Sequence, residues 1–260
     1  MESKKNRDSR DSRESKVALV TGGTGVIGTA LSQKLHDEGY RVVAGYFNGG
    51  DPAKAKRWQI QQQEAGRTIA INFIDVGDWD ACLRCVLDIQ ETLGPISVLV
   101  NNAGVTQDTT FKKMSAAQWS RVIQTNLDGV FNITRHVINQ MIEQNYGRII
   151  NISSMNGQKG QFGQTNYSAA KAGLHGFTMA LAQEVAKHGI TVNTISPGYI
   201  ASDMIEDVPR EILDKIISSI PVGRLGKPEE VARIVAFLAH EDSGFITGSN
   251  VSANGGQYMC

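Results

Sequence analysis

A glycine-rich turn separates a short apolar stretch from a helical pattern near the start of the chain. The stretch KVALVT (residues 16–21) is β-branched and apolar, which is typical of a buried strand. The turn GGTGVIG (residues 22–28) leads into helical periodicity through Leu35. A strand, a Gly-rich turn and a helix in this order open a dinucleotide-binding fold, where glycines let the main chain approach a pyrophosphate at the helix N-terminus. The order therefore favours an α/β fold.

The rest of the chain repeats this alternation. Further strands are predicted in RVVAGYFN, TIAINFID, residues 96–100, GRIINIS, ITVNTISPGYI and residues 248–253; helices are predicted over residues 116–144 and 167–187 and in PEEVARIVAFLAH. This pattern predicts one domain, residues 16–260, with a Rossmann-type doubly wound parallel sheet of about seven strands and helices on both faces. Residues 1–15 are charged or small and polar, which predicts a disordered tail. Residues 201–224, with two prolines, are a candidate substrate lid.

Composition argues against several classes of partner. The 26 Lys and Arg residues balance 26 Asp and Glu residues, so no charge excess points to nucleic acid or an anionic membrane. No apolar run reaches the roughly 18 residues of a membrane span, and residues 1–15 hold no signal-peptide core. The cytoplasm is therefore the expected compartment.

The cysteines and histidines do not predict a metal or disulfide framework. Cys82 and Cys85 form a Cys-x-x-Cys pair, but both lie inside the helical pattern DWDACLRCVLDIQETL. A redox pair stands at a helix start after a strand, so we expect these two thiols to pack in the interior. The third cysteine, Cys260, and the five histidines show no metal-ligand spacing.

A pair of chemically suited residues lies in the predicted helix after GRIINIS. Tyr167 and Lys171 are four positions apart, so their side chains project from one face of a helix. A nearby cation favours the phenolate and should lower the pKa of Tyr167 toward the working range of an acid-base catalyst. Ser154 follows the strand GRIINIS, at the sheet edge where parallel α/β folds bind ligands. Its hydroxyl is a candidate to hold a substrate oxygen near the Tyr167 proton.

These residues together resemble the short-chain dehydrogenase/reductase family. The resemblance rests on Ser154, Tyr167 and Lys171, on the Gly-rich turn, on the stretch NNAG (residues 101–104), on Asn126 and on Pro197-Gly198, and it spans residues 16–256. It implies the strand order 3-2-1-4-5-6-7 and a homotetramer built through the helices that carry Asn126 and Tyr167. Within the family, residues 156–186 are most similar to the bacterial reductases that supply polyhydroxybutyrate synthesis from acetoacetyl-CoA.

The resemblance also implies a role for each site residue. Tyr167 donates a proton, Lys171 tunes it and holds the nicotinamide ribose, Ser154 polarises the carbonyl, and Asn126 holds a water that refills the proton. The implied cofactor-binding residues are Gly22, Gly23, Thr24, Gly25, Ile27, Gly28, Asn48, Lys54, Asp75, Val76, Asn102, Ala103, Gly104, Tyr167, Lys171, Pro197, Gly198 and Ile200. One position departs from the family pattern, because Val26 stands where a glycine is usual.

The end of the second strand bears on the choice of cofactor. NAD enzymes commonly carry an acid there, whereas Tyr46, Phe47 and Asn48 are not acids. Lys54 is a candidate for a 2′-phosphate, with Lys56 and Arg57 as substitutes, although Asp51 lies nearby and these cations are equally consistent with a solvated helix surface. We therefore expect NADPH to be preferred.

The expected substrate is a short 3-oxoacyl-CoA, acetoacetyl-CoA first. Candidate substrate-binding residues are Asp108, Ser154, Gln161, Phe162, Gln164, Tyr167, Gly198 and Tyr199. A 3-oxoacyl-acyl-carrier-protein reductase is the alternative, since Lys112, Lys113, Lys159 and Arg224 offer basic residues for either carrier. A more remote alternative is a non-catalytic NADP-binding sensor.

Overall fold

A seven-stranded parallel sheet forms the centre of the protein. The computed structural model describes residues 16–47, 51–201 and 210–259, so the expectations for residues 1–15, Asn48, residues 202–209 and Cys260 lie outside the described residues. The strand order is β3-β2-β1-β4-β5-β6-β7, which confirms the order that the sequence implied. The strands are β1 (Val17–Val20), β2 (Arg41–Tyr46), β3 (Ala70–Phe73), β4 (Ile96–Asn101), β5 (Gly147–Ile152), β6 (Ile190–Pro197) and β7 (Asn250–Ala253).

Helices cover both faces of this sheet. They are α1 (Val26–Asp37), α2 (Pro52–Glu64), α3 (Trp79–Thr92), α4 (Ala116–Ile123), α5 (Gly129–Gln144), α6 (Asn156–Lys159), α7 (Thr165–Val185), α8 (Arg210–Ser218) and α9 (Pro228–Ala239). Single 3-10 turns occupy Phe111–Lys113, Ala186–His188 and Glu241–Ser243. The helix predicted over residues 116–144 is interrupted, because a π-helical segment, Gln124–Asp128, joins α4 to α5.

Strand alternation divides the interior into two cores. In β1, Ala18 and Val20 face a core shared with α1, α2 and α9, whereas Val17 and Leu19 face a core shared with α3, α5 and α7. Every residue of β1 is buried, as expected of a strand covered on both sides. Apolar burial at about 25 cal/mol per Å2 is the main force holding both layers to the sheet.

The Cys-x-x-Cys pair lies in the second of these cores. Cys82 and Cys85 are 0% and 2% exposed on the inner face of α3, and burial is the largest cause that raises the pKa of each thiol to about 12. The burial of both side chains confirms that the pair packs in the interior, and a thiol with so high a pKa is a poor nucleophile.

Because the strands are parallel, their carboxyl ends meet at one edge of the sheet. This edge receives the Gly-rich turn after β1, NNAG at the end of β4, Ser154 after β5 and Pro197-Gly198 at the end of β6. Across the described ranges, no helix combines the length and apolar character needed to cross a bilayer.

Candidate active site

The Gly-rich turn is tied to the end of β4 by Thr21 and Asn102. The Thr21 hydroxyl accepts hydrogen bonds from the backbone N–H groups of Asn102 and Ala103, at 3.0 and 3.1 Å. The Asn102 amide donates to the carbonyls of Thr21 and Gly22, at 3.0 and 3.1 Å. Asn101 likewise donates to Asn151 of β5 at 2.8 Å. The amides of Asn101 and Asn102 thus bridge neighbouring strands.

Glycine is required in the turn for two different reasons. Gly22 has a φ of +62°, a left-handed conformation that a side chain disfavours. A Cβ on Gly28 would lie 2.0 Å from the Gly22 carbonyl oxygen, so that position holds the turn against α1. The unusual Val26 begins α1 with its side chain 38% exposed. It points away from this packing, which is why the turn forms without the usual glycine.

The start of α1 suits an anion. Gly25 is the N-cap and provides no side-chain hydrogen bond, so the first-turn N–H groups of Val26, Ile27 and Gly28 are without helical acceptors. Such N–H groups, with the helix dipole, favour a phosphate. The turn as folded therefore fits the pyrophosphate of a dinucleotide.

Tyr167 lies in the first turn of α7, half-buried beside Ser154. Burial, the largest cause, raises the pKa of the phenol; the Ser154 hydrogen bond lowers it and the Asp108 charge raises it. Ser154 is held by its own loop, because its hydroxyl accepts from the Asn156 N–H at 3.1 Å. The hydroxyl and the phenol thus stand together at the carboxyl edge of β5, as predicted.

Lys171 is buried beneath this pair. It is 4% exposed, its ammonium donates to the Ile152 carbonyl at 2.7 Å, and Nζ lies 5.7 Å from the centre of the Tyr167 ring. Desolvation lowers the pKa of Lys171 to about 8.

The electrostatic expectation for Tyr167 is not met in this arrangement. The sequence predicted that Lys171 lowers the pKa of the phenol, whereas that pKa is raised and the ammonium is not among its causes. The physical reason is that Lys171 directs its charge to a backbone carbonyl and lies over the ring.

The depressed pKa of Lys171 predicts an alkaline gain in stability. Below about pH 8 the amine is charged in both the folded and the unfolded chain, and above the ordinary value of 10.5 it is neutral in both. Between those values the unfolded chain binds more protons, so the free energy of unfolding rises with pH by roughly 3 kcal/mol. Urea unfolding at several pH values across this range gives the free energy of unfolding of wild type and of Lys171→Met. The pH-dependent gain should appear in wild type and be absent from the variant. Parallel curves for the two proteins would contradict it.

Asn126 lies within the π-helical segment. It is fully buried, its amide donates to the carbonyls of Val105 and Val122 at 2.9 Å each, and its Oδ1 accepts from the Val105 N–H at 3.2 Å. Gly104 lies between this amide and the lysine, since a Cβ there would be 2.6 Å from Asn126 Oδ1 and 3.6 Å from Lys171 Nζ. The small residue keeps the approach to both groups open.

Two residues that support Lys171 were missed by the sequence reasoning. The Ser153 hydroxyl donates to the Lys171 carbonyl at 2.8 Å and also lies 3.0 Å from His175 Nε2. His175 is four positions after Lys171 on α7, so helical spacing is the signal that could have found it. Both residues fix the backbone that carries the lysine.

The remaining predicted cofactor residues spread along the same edge. Asp75 accepts from the Gly77 N–H at 3.0 Å, and the Val76 carbonyl accepts from Asn132 at 2.9 Å. Gly198 packs against the backbone of Asn254, 2.9 Å from where a Cβ would stand. Thr24 lies in the turn, Ile200 is buried beyond Pro197, and Lys54 is exposed in the first turn of α2.

The predicted substrate residues lie in three different places. Gln164 is a bridge whose amide nitrogen donates to Asp108 at 2.7 Å and whose oxygen accepts from Asn156 at 2.9 Å. Phe162 is 87% exposed, and Gln161 is half-buried beside it. Tyr199 lines a separate cavity of about 290 Å3 between the end of β6 and the loop after β7. The structure therefore brings Asp108 and Gln164 together near Tyr167 but leaves the Phe162 ring in solvent.

The chain is similar to known reductases along most of its length. The short chain dehydrogenase family model matches residues 16–212. An acetoacetyl-CoA reductase of Cupriavidus necator is 54% identical over 240 residues, which cover 92% of this chain and 97% of that protein. A 3-oxoacyl-acyl-carrier-protein reductase FabG of Haemophilus influenzae is 40% identical over 241 residues, covering 93% and 97%.

A solved structure shares the architecture. The crystal structure of gox2181 superposes with a TM-score of 0.88 at 32% identity, covering 93% of this chain and 95% of that chain. The similarity thus extends from the Gly-rich turn to the last strand.

Proposed function

The chain belongs to the short-chain dehydrogenase family and is an oxidoreductase, and from this we propose that it reduces acetoacetyl-CoA to (R)-3-hydroxybutyryl-CoA with NADPH. The observation that carries the proposal is the gathering of Ser154, Tyr167, Lys171 and Asn126 at one sheet edge beside the uncapped start of α1. The 54% identity to an acetoacetyl-CoA reductase over nearly its whole length supports the substrate. The product feeds polyhydroxybutyrate synthesis in this proposal.

In this proposal, separate residues bind the cofactor and transfer the proton. A bound reduced nicotinamide supplies hydride, and the Gly-rich turn, Asn102, Gly104 and Gly198 would hold the dinucleotide. Ser154 donates a hydrogen bond to the 3-oxo oxygen, and Tyr167 transfers its phenolic proton to the same atom. Burial keeps that proton on Tyr167 until the oxygen becomes basic. General acid catalysis of this kind contributes roughly 10² to 10⁴-fold in rate.

Lys171 and Asn126 support the proton supply. The Lys171 ammonium is anchored on the Ile152 carbonyl and stays largely charged near neutral pH because its pKa is about 8, so it would hold the nicotinamide ribose and pass a proton toward Tyr167. Asn126 Oδ1 lies across Gly104 from the ammonium and would accept a hydrogen bond from the water through which Tyr167 is reprotonated.

The two thioester carriers are separated by direct competition. We expect NADPH oxidation to be more efficient, in kcat/KM, with acetoacetyl-CoA than with the acyl-carrier-protein thioester. The reverse order makes the chain a carrier-protein reductase, and no turnover with either substrate favours the remote alternative of an NADP-binding sensor. Parallel assays with NADH test the expected NADPH preference.

Gln164→Ala tests the substrate side of the proposal. It removes the bridge between Asp108 and Asn156, so we expect the KM for acetoacetyl-CoA to rise by about tenfold, as for a lost hydrogen bond to a charged group. Asn166→Ala is unsuitable as a control because Asn166 binds the backbone at Tyr167; the exposed Gln183, on the far part of α7, is the matched position. Equal KM values for Gln164→Ala and Gln183→Ala would contradict the assignment.

We also propose that the protein is a cytoplasmic homotetramer. Support comes from an exposed aromatic pair, Trp79 and Phe131, whose ring centres lie 5.8 Å apart. A groove of about 540 Å3 beside them includes Phe177 of α7. Apolar surface of this kind is typical of subunit interfaces. Light scattering after size exclusion should give four subunits for wild type and fewer for Phe131→Glu.

A further inference from the structure

Arg121 stands over an aromatic ring instead of an acid. Its guanidinium carbon lies 5.9 Å from the centre of the Phe47 ring, and its side chain is half-buried. Within residues 16–47, 51–201 and 210–259, Arg121 forms no ion pair with a carboxylate. The guanidinium, which binds carboxylates and phosphates well, is therefore available to a ligand.

The position of Arg121 relates it to the dinucleotide cleft. Phe47 directly follows β2 at the carboxyl edge of the sheet, and its ring also contacts Phe73 at the end of β3, with centres 6.0 Å apart. Gln124, at the end of the same helical run, donates to the Gly77 carbonyl at 3.2 Å. The helix that carries Arg121 is thereby fastened over the turn after β3. Arg121 therefore reaches, from α4, the residue that follows β2.

The cations first considered for the end of β2 are placed differently. Lys54, Lys56 and Arg57 are all exposed on α2. The Lys56 ammonium donates along its own helix to Gln59 at 2.7 Å. Asp51 is engaged as the N-cap of α2, accepting from the Ala53 N–H at 2.9 Å. Arg121 differs from these residues because it contacts the residue that follows β2.

We propose that Arg121 binds the 2′-phosphate of NADPH and is the residue that selects this cofactor. The proposal rests on the proposed function, because it requires an adenine dinucleotide on the Gly-rich turn. A guanidinium presents a planar fork that pairs two N–H groups with a phosphate dianion. A cation–π contact with the Phe47 ring uses none of the guanidinium N–H groups as hydrogen-bond donors to a carboxylate, so they can pair with a phosphate. Cofactor choice then depends on α4 and not only on the segment after β2.

Binding measurements test this without reliance on turnover. Fluorescence titration gives the dissociation constants of NADPH and NADH for wild type and for Arg121→Gln, and calorimetry gives those of 2′,5′-ADP and 5′-AMP, which differ only in the 2′-phosphate. We expect Arg121→Gln to reduce the preference for the 2′-phosphate by about ten- to a hundredfold, as for a charge-assisted pair. NADH and 5′-AMP should bind as in wild type. Arg121→Lys should restore part of the preference, because it keeps the charge without the fork.

Two further variants separate the possible failures. Arg233→Gln removes an exposed arginine on α9 and controls for net charge, and Lys54→Gln tests the alternative site on α2. If wild type prefers NADPH and Arg121→Gln keeps the whole preference, the inference is wrong while the proposed function stands. A loss confined to Lys54→Gln also overturns it. If wild type itself binds NADPH no tighter than NADH, the cofactor assignment in the proposed function fails as well.

Discussion

Tyr167→Phe is expected to lose at least about 10²-fold in kcat, the lower end of what general acid catalysis contributes, while NADPH still binds. The substitution removes one oxygen from a half-buried ring and leaves the packing of the first turn of α7 in place. Only the transferable proton and its hydrogen bond with Ser154 are lost. Stopped-flow turnover and NADPH fluorescence titration on the same preparation measure the two effects separately.

Lys171→Ala should differ from Tyr167→Phe in its effect on cofactor binding. Lys171→Ala removes a buried group bonded to Ile152 that is assigned to both the proton supply and the nicotinamide ribose. We therefore expect it to weaken NADPH binding as well as turnover. A folded Tyr167→Phe protein with near-normal turnover would refute the catalytic assignment, and so would intact catalysis in Lys171→Ala.

Gly28→Ala is expected to lower the free energy of unfolding by about 3 kcal/mol, at the upper end of overpacking costs, and to abolish dinucleotide binding. The new methyl group would lie 2.0 Å from the Gly22 carbonyl oxygen and 2.8 Å from the Gly23 Cα. These are backbone atoms and cannot rotate away as a side chain can, so the turn must separate from α1. For a domain of this size we expect a fall in Tm of roughly 6–12 °C by calorimetry.

Gly25→Ala is the matched control. A Cβ at Gly25 would be 3.4 Å from the Gly22 carbonyl oxygen, an ordinary contact, and its φ of −76° suits alanine. The Tm should therefore stay within about 1 °C of wild type, as for a substitution without strain, while nucleotide affinity falls because a methyl group now stands at the helix start. Equal melting temperatures for Gly28→Ala and wild type would show that the turn has more room than the distances indicate.

The fold could be predicted from the sequence because the local strand and helix patterns agree with the order of strands in the sheet. β-branched runs such as the one ending at Val20 and the Gly-rich turn are short-range signals, and parallel strands then bring their carboxyl ends to one edge. The Tyr167 and Lys171 pair followed from helical spacing.

What the sequence did not predict depends on long-range burial. The raised pKa of Tyr167 arises mainly from desolvation, which no local pattern reports. Arg121 and Phe47 are far apart in the sequence and meet only in the folded chain. The exposed Phe162 was expected in the pocket on its apolar character alone.

The π-helical segment Gln124–Asp128 has a consequence for how this molecule can change. A π-helical turn accommodates one residue more than an α-helical turn. The side chains of α5 are therefore rotated by about 100° about the helix axis, relative to the positions they would have if α4 continued as a regular α-helix. Deleting a single residue there would give a more regular helix with stronger internal hydrogen bonding. It would also rotate the amide of Asn126 away from Gly104 and Lys171. Selection for stability and selection for turnover therefore act in opposite directions on the length of this one segment, and an insertion or deletion here is tolerated less than at either end of the helix.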